Sequence, residues 1–215
     1  MTDEKKRIIE ILESMESQFS GYEIFSDWVK CMAVSISNSI EQVHDEVWQK
    51  REDEYLAIAK KHGRDNINKF AEMMRLLALS LEKEMDDCLG DIYMRANLGS
   101  KNAGQFFTPF HLSYMSAKLA LNKYDGKEKI LVNEPSTGGG GMMIATAKVL
   151  KEKGFNYQNC LEVIAQDLDW KGVYMTYVQL SLLGVNATVI QGDTLAQTKP
   201  EEYQIFRTPK KKGVV

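Results

Sequence analysis

Nowhere in the 215 residues is there an apolar run of the ~18 residues that a membrane-crossing helix needs. The opening Met1-Thr2-Asp3-Glu4-Lys5-Lys6 also lacks the apolar segment of a signal peptide. Both absences lead us to expect a cytoplasmic protein with no membrane partner. Cysteine is scarce and scattered, at Cys31, Cys88 and Cys160, which fits reduced thiols and excludes a disulfide framework. His44, His62 and His111 stand alone, so no Cys/His cluster has the spacing of a metal site. No repeat or low-complexity tract is present. What remains is ordinary for a soluble globular chain, 44% hydrophobic and 27% charged, and long enough for a helical domain beside an α/β one.

Charge is unevenly divided. Residues 1–98 carry 13 Lys and Arg against 20 Asp and Glu, whereas residues 99–215 carry 14 against 10. The acidic front half does not suit a phosphate backbone, and the mild positive excess behind it is compatible with DNA. The front half reads as helices. Ile8, Ile9, Ile11, Leu12 and Met15 form one apolar stripe, and Phe25, Trp28, Val29, Met32, Ala33 and Ile36 form a second, with Ser26 or Asp27 near its start as a cap. Trp48, Tyr55, Leu56 and Ile58 mark a third helix ending near Gly63. A fourth and most apolar helix runs from Phe70 to Leu81. We expect an α-helical domain over 1–98 and a linker at Leu98-Gly99-Ser100-Lys101-Asn102-Ala103-Gly104.

The second half is organised around Asn133-Glu134-Pro135-Ser136-Thr137-Gly138-Gly139-Gly140-Gly141, which follows the apolar run Ile130-Leu131-Val132 and precedes a helical stretch. A strand that turns through glycines into a helix offers bare backbone and a helix N-terminus to a ligand. Neither the G-x-G-x-x-G fingerprint nor a Walker lysine is present. Two further apolar runs, Leu161–Ala165 and Ala187–Ile190, end at Gln166-Asp167-Leu168-Asp169 and at Gln191-Gly192-Asp193-Thr194-Leu195. Three strands with acidic or glycine-rich tips and helices between them describe one nucleoside-shaped crevice at the strand ends. Trp170 either lines that crevice or packs on the sheet. Asp169 either shares the ribose contact or caps the next helix.

On these residues the chain resembles the S-adenosylmethionine-dependent N6-adenine DNA methyltransferases, especially the modification subunits of type I restriction-modification systems. Their glycine motif reads roughly D-P-A-C-G-S-G-G-F, and Glu134, Pro135, Gly138, Gly140 and Gly141 fall on its positions. The resemblance makes Asp167 the ribose acid and Asp193 the adenine-side acid. Gly104-Gln105-Phe106-Phe107-Thr108-Pro109 is similar to the family's G-Q-F-Y-T-P segment, so Phe107 and Thr108 would close over the methionine end of the cofactor. Asp87-Cys88-Leu89-Gly90-Asp91-Ile92-Tyr93 looks like the D-x-L-G-x-x-Y stretch before it. The likeness runs from about Asp86 to Leu195. It implies a Rossmann-like α/β methyltransferase core over 99–215, with S-adenosylmethionine as cofactor and DNA as partner.

Strands are expected near 129–133, 161–167, 187–191 and 203–207, an incomplete core of about four strands. The pattern fails at the last of them. The family places N-P-P-F or D-P-P-Y at the end of its fourth strand, where an amide or carboxylate and a proline carbonyl hold the adenine amine and an aromatic stacks on the flipped base. Here Thr208 and Pro209 occupy that place, followed by lysines. A Thr hydroxyl lacks the amide's paired geometry, and Lys offers no stacking face. Three functions follow as expectations: a cofactor-binding protein without independent methyl transfer, a working adenine methyltransferase alone or completed by a second chain, or an interaction protein. In the last, the helical domain or an edge strand binds a partner or another copy.

Overall fold

The protein is described by a computed structural model covering residues 1–16, 19–96, 98, 107–196 and 204–209. The linker after Leu98, Phe106, Tyr203 and the lysines at 210–212 lie outside the described residues. Two units form, Met1–Glu84 with Cys88–Phe106 and Met85–Asp87 with Phe107–Val215.

The first unit is helical: α1 (Asp3–Glu13), α2 (Gly21–Ile40), α3 (Glu46–Lys83) and α4 (Cys88–Arg95). The stripes seen in the sequence become its core, with Ile8, Leu12, Phe25, Trp28, Met73, Leu77, Leu89 and Ile92 buried. Trp28 donates its indole N–H to the Phe70 carbonyl at 3.2 Å, so its one polar atom is satisfied inside. Lys5 is buried and reaches Asp91 at 3.2 Å. Two sequence expectations change. The cap of α2 is Ser20, which accepts from the Glu23 N–H; the helix begins at Gly21, so Ser26 and Asp27 lie inside it, and Asp27 bonds Lys61 and His62. The break between the third and fourth helices falls at Gly63, where the sequence placed it, within the span of α3; its φ of 73° is one that only glycine takes without strain. Leu56 points out of that element rather than into the core.

The second unit contains α5 (Phe110–Ala120), β1 (Ile130–Glu134), α6 (Gly141–Glu152), the single turn α7 (Tyr157–Cys160), β2 (Leu161–Asp167), α8 (Trp170–Leu183), β3 (Asn186–Gln191) and β4 (Gln204–Arg207). The sheet order is β1-β2-β3-β4. The first three strands are parallel and joined through α6 and α8, and successive crossovers of one hand place both helices on one face. Alternation along β2 records this: Leu161, Val163 and Ala165 are buried under the helices, while Glu162 and Ile164 face outward. Three of the expected strands lie within a residue of their places. The fourth does too, but it runs antiparallel against β3, with Ile190 opposite Ile205 and Thr188 opposite Arg207. Phe206 seats its ring against Tyr177 at 5.0 Å and Tyr174 at 5.9 Å on α8 and is buried there. Among the described residues no helix is long and apolar enough to cross a membrane.

Candidate functional site

Parallel strands point their C-terminal ends the same way, so the turns after β1, β2 and β3 gather at one edge of the sheet. Backbone bonds lock them together. Thr137 N–H donates to the Gln166 carbonyl at 2.9 Å, and Gly192 N–H to the Asp167 carbonyl at 3.0 Å. Side chains add to this: Thr194 donates to the Pro135 carbonyl at 2.8 Å, and Gln191 to the Leu168 carbonyl at 2.9 Å.

Asp167 is the centre of the arrangement. One carboxylate oxygen accepts from the Gly138 N–H at 2.7 Å and the other from Asp169 N–H at 2.9 Å. Charged acceptors make strong bonds with backbone donors, so this residue fixes the glycine turn relative to the second strand. Each oxygen keeps a further lone pair for a hydroxyl. Gly172 lies beneath it, and a Cβ there would come within 3.0 Å of the Asp167 carboxyl carbon. Glu134 closes β1 and accepts from Ser136 N–H at 3.2 Å. Asp193 is exposed beyond β3 and accepts from Leu195 N–H at 2.9 Å. Asp169 caps α8 by accepting from Lys171 N–H, which settles one of the two roles open to it. Trp170 stacks on Tyr174 and meets Phe206 edge-on, so it packs between α8 and the sheet.

The glycines are required by geometry at two positions. Gly138 has φ 54°, and a Cβ on it would lie 2.9 Å from the Phe107 ring. Gly140 has φ 90° and would meet Thr176 Oγ1 at 3.1 Å. Phe107 therefore lies directly over bare glycine backbone, with the half-exposed carboxylates of Glu134 and Asp167 at the same edge of the sheet. Thr108 is exposed at the start of α5. The residues brought together are thus Phe107, Glu134, Pro135, Gly138, Gly140, Asp167 and Asp193.

Thr208 and Pro209 are not among them. Because β4 runs antiparallel, its end lies beside the beginning of β3, the full length of that strand from the crevice, ~17–20 Å. Thr208 is buried there, its hydroxyl donating to the Val185 carbonyl at 2.7 Å and accepting from Ala187 N–H at 2.8 Å. It closes the sheet and is removed from any reacting atoms at the crevice.

Sequence reasoning missed the supports of the glycine turn. Thr176 donates to the Gly138 carbonyl at 3.0 Å, and Gln179 donates both to the Gly139 carbonyl at 2.7 Å and to buried Asp87 at 2.8 Å. Two signals were available: Asp87 opens the D-x-L-G-x-x-Y stretch, and Gly139 stands where the family motif has Ser. A Cβ there would fall 2.8 Å from an Asp87 oxygen.

Comparison with known proteins assigns the class. The profile of the N-6 DNA methylase family matches residues 84–212, more than half of the chain, and the protein belongs to this family. It is 26% identical over 133 residues to the methylase subunit of the type I restriction enzyme MpnII from Mycoplasma pneumoniae, covering 58% of this chain and 23% of that one. Among solved structures it is similar to the type I restriction-modification methyltransferase subunit from Streptococcus thermophilus, with TM-score 0.50 and 14% identity over 92% of this chain and 59% of that one. It is also similar to a protein from Listeria monocytogenes assigned to the class I S-adenosylmethionine-dependent methyltransferases, with TM-score 0.53, 14% identity, and coverage of 92% and 56%. The fold is therefore that of these methyltransferases. The chain spans about a quarter of the curated relative and under three fifths of the solved ones.

Proposed function

We propose that this chain binds S-adenosylmethionine at the crevice and does not by itself carry a methyl-transfer site for adenine. The observation that carries the first part is the Asp167 bond to Gly138, which holds a ribose-compatible carboxylate against bare glycine backbone under Phe107. Asp167 would take the ribose hydroxyls and Asp193 the adenine side. Glu134, Pro135, Gly138 and Gly140 would shape the turn, and Phe107 with Thr108 would cover the methionine end. The cofactor, when bound, supplies an electrophilic methyl group. The second part rests on Thr208, whose hydroxyl is spent inside the sheet at the far end. Family membership and the likeness to type I methylase subunits support DNA as the macromolecule served.

Calorimetric titration of the purified chain with S-adenosylmethionine tests this. A micromolar dissociation constant is expected, weakened at least ten-fold by Asp193→Ala, since losing a charged acceptor costs ~1.5–3 kcal/mol. Asp193 bonds only its own turn among the interactions described, so the variant should unfold at the same denaturant concentration as the parent. No heat at millimolar ligand would overturn the cofactor reading. Transfer of labelled methyl to adenine in DNA by the chain alone would overturn the second part.

A further inference from the structure

The glycine turn is held from behind by buried polar groups. Gly172, Thr176 and Gln179 share one face of α8, four and then three residues apart. All three meet the turn. Gly172 leaves room for the Gly138 carbonyl, which a Cβ there would approach to 3.1 Å, and Thr176 donates to that carbonyl at 3.0 Å. Gln179 donates to the next carbonyl, that of Gly139, at 2.7 Å. The carbonyl before them, of Thr137, accepts from Gly140 N–H at 2.9 Å. Three successive peptides of the turn are thus fixed, and the planarity of each leaves the chain between them little freedom to rotate. The Gly138 N–H that bonds Asp167 lies inside this clamped stretch.

Gln179 is 0% exposed, and its amide faces two acceptors, the Gly139 carbonyl and the Asp87 carboxylate at 2.8 Å. Only the NH2 end can serve both, so chemistry decides which way the amide points. Asp87 is itself buried, in the segment Met85–Asp87 of this unit. Its carboxylate takes one amide hydrogen and leaves the other aimed at Gly139. A bond to a charged acceptor is roughly twice as strong as a neutral one, so the amide is held hard in that orientation. We infer that Gln179, oriented by Asp87, is a positioning residue for the crevice: it fixes the Gly139 carbonyl, and through the turn it keeps the Gly138 N–H on the Asp167 carboxylate. Gln179 meets the turn only from its inner side, so it acts on a ligand through the backbone and Asp167. Its effect on cofactor affinity rests on the cofactor reading given above, whereas its effect on the turn does not.

Two variants and two readouts test it. Gln179→Met keeps the length of the side chain without a donor, and Gln179→Glu keeps its shape while offering only acceptors near neutral pH. In both, the Gly138 amide proton, observed by NMR without ligand, should move upfield as its bond to Asp167 loosens. The Ala187 amide, bonded to Thr208 at the far end of the sheet, should stay in place. Calorimetric titration of each folded variant with S-adenosylmethionine should show a dissociation constant raised at least ten-fold. Circular dichroism shows that the titrated protein is folded, which separates lost affinity from lost stability; if one variant does not fold, the other decides. A Gly138 resonance at its parent position, or affinity within two-fold of a parent that binds, would overturn the inference. A parent that gives no heat while the Gly138 resonance moves in the variants would overturn the cofactor reading and leave the positioning role established.

Discussion

Gly139→Ala should be more harmful than its backbone alone would suggest. Gly139 is not in the left-handed region, so alanine meets no conformational barrier there. Its Cβ would instead fall 2.8 and 2.9 Å from the two oxygens of Asp87, distances that real Cβ atoms do not adopt. The carboxylate has little room to yield: Asp87 is 6% exposed and takes a 2.8 Å bond from Gln179, whose other N–H holds the Gly139 carbonyl. Overpacking costs ~1–3 kcal/mol, and a bond to a charged group contributes ~1.5–3 kcal/mol. We expect a loss of about 2–4 kcal/mol, near 2–4 °C of melting temperature per kcal/mol for a chain of this size. Urea unfolding followed by circular dichroism measures it. Gly154→Ala is the control, with φ 84° and no atom within 4 Å of the added Cβ; it should cost only ~1–2 kcal/mol of left-handed strain. Asp87→Ala combined with Gly139→Ala should cost at least ~1 kcal/mol less than the two separate losses added, because the first substitution removes the obstacle to the second. A Gly139→Ala protein within ~0.5 kcal/mol of the parent, or strict additivity in the double variant, would refute the steric account.

Thr208→Val should destabilise by ~1–3 kcal/mol, since the buried Ala187 N–H and Val185 carbonyl lose their partner, while S-adenosylmethionine affinity stays within two-fold. Calorimetry showing weakened binding at unchanged stability would return Thr208 to the site. The Cys31 thiol is pushed up to about 12, chiefly by burial and further by the charge of Asp27, so at pH 9 only about a thousandth of it is thiolate. Iodoacetamide at that pH should label Cys160, which is half-buried, and spare Cys31 until the chain unfolds; fast labelling of Cys31 by mass spectrometry would contradict its placement. Because the folded thiol holds its proton above the ordinary value of 9.0, its contribution to stability is complete below pH ~9 and falls as pH rises toward 12.

Much of this architecture could be read along the chain because it is local. The stripes through Ile8, Trp28 and Leu77 follow a helical period, and the runs ending at Glu134, Asp167 and Gln191 are short, apolar and followed by turn residues. The acidic tips were legible for the same reason: a parallel strand delivers its last residue to the crevice whatever surrounds it. The pairing of Asp87 with Gln179 was not, the two being 92 positions apart and joined only by the fold.

The direction of β4 shows the limit most clearly. Its place in the chain follows from Ile205 and Phe206, but periodicity is the same in either direction, and nothing local distinguishes parallel from antiparallel pairing. In the fold β4 pairs antiparallel with β3, and Phe206 docks on Tyr174 and Tyr177, about thirty positions earlier on another element. That reversal carries the Thr208–Pro209 pair to the opposite end of the sheet. It also pairs β3 on its second side, so among the described residues β1 and β4 are the outer strands of the sheet.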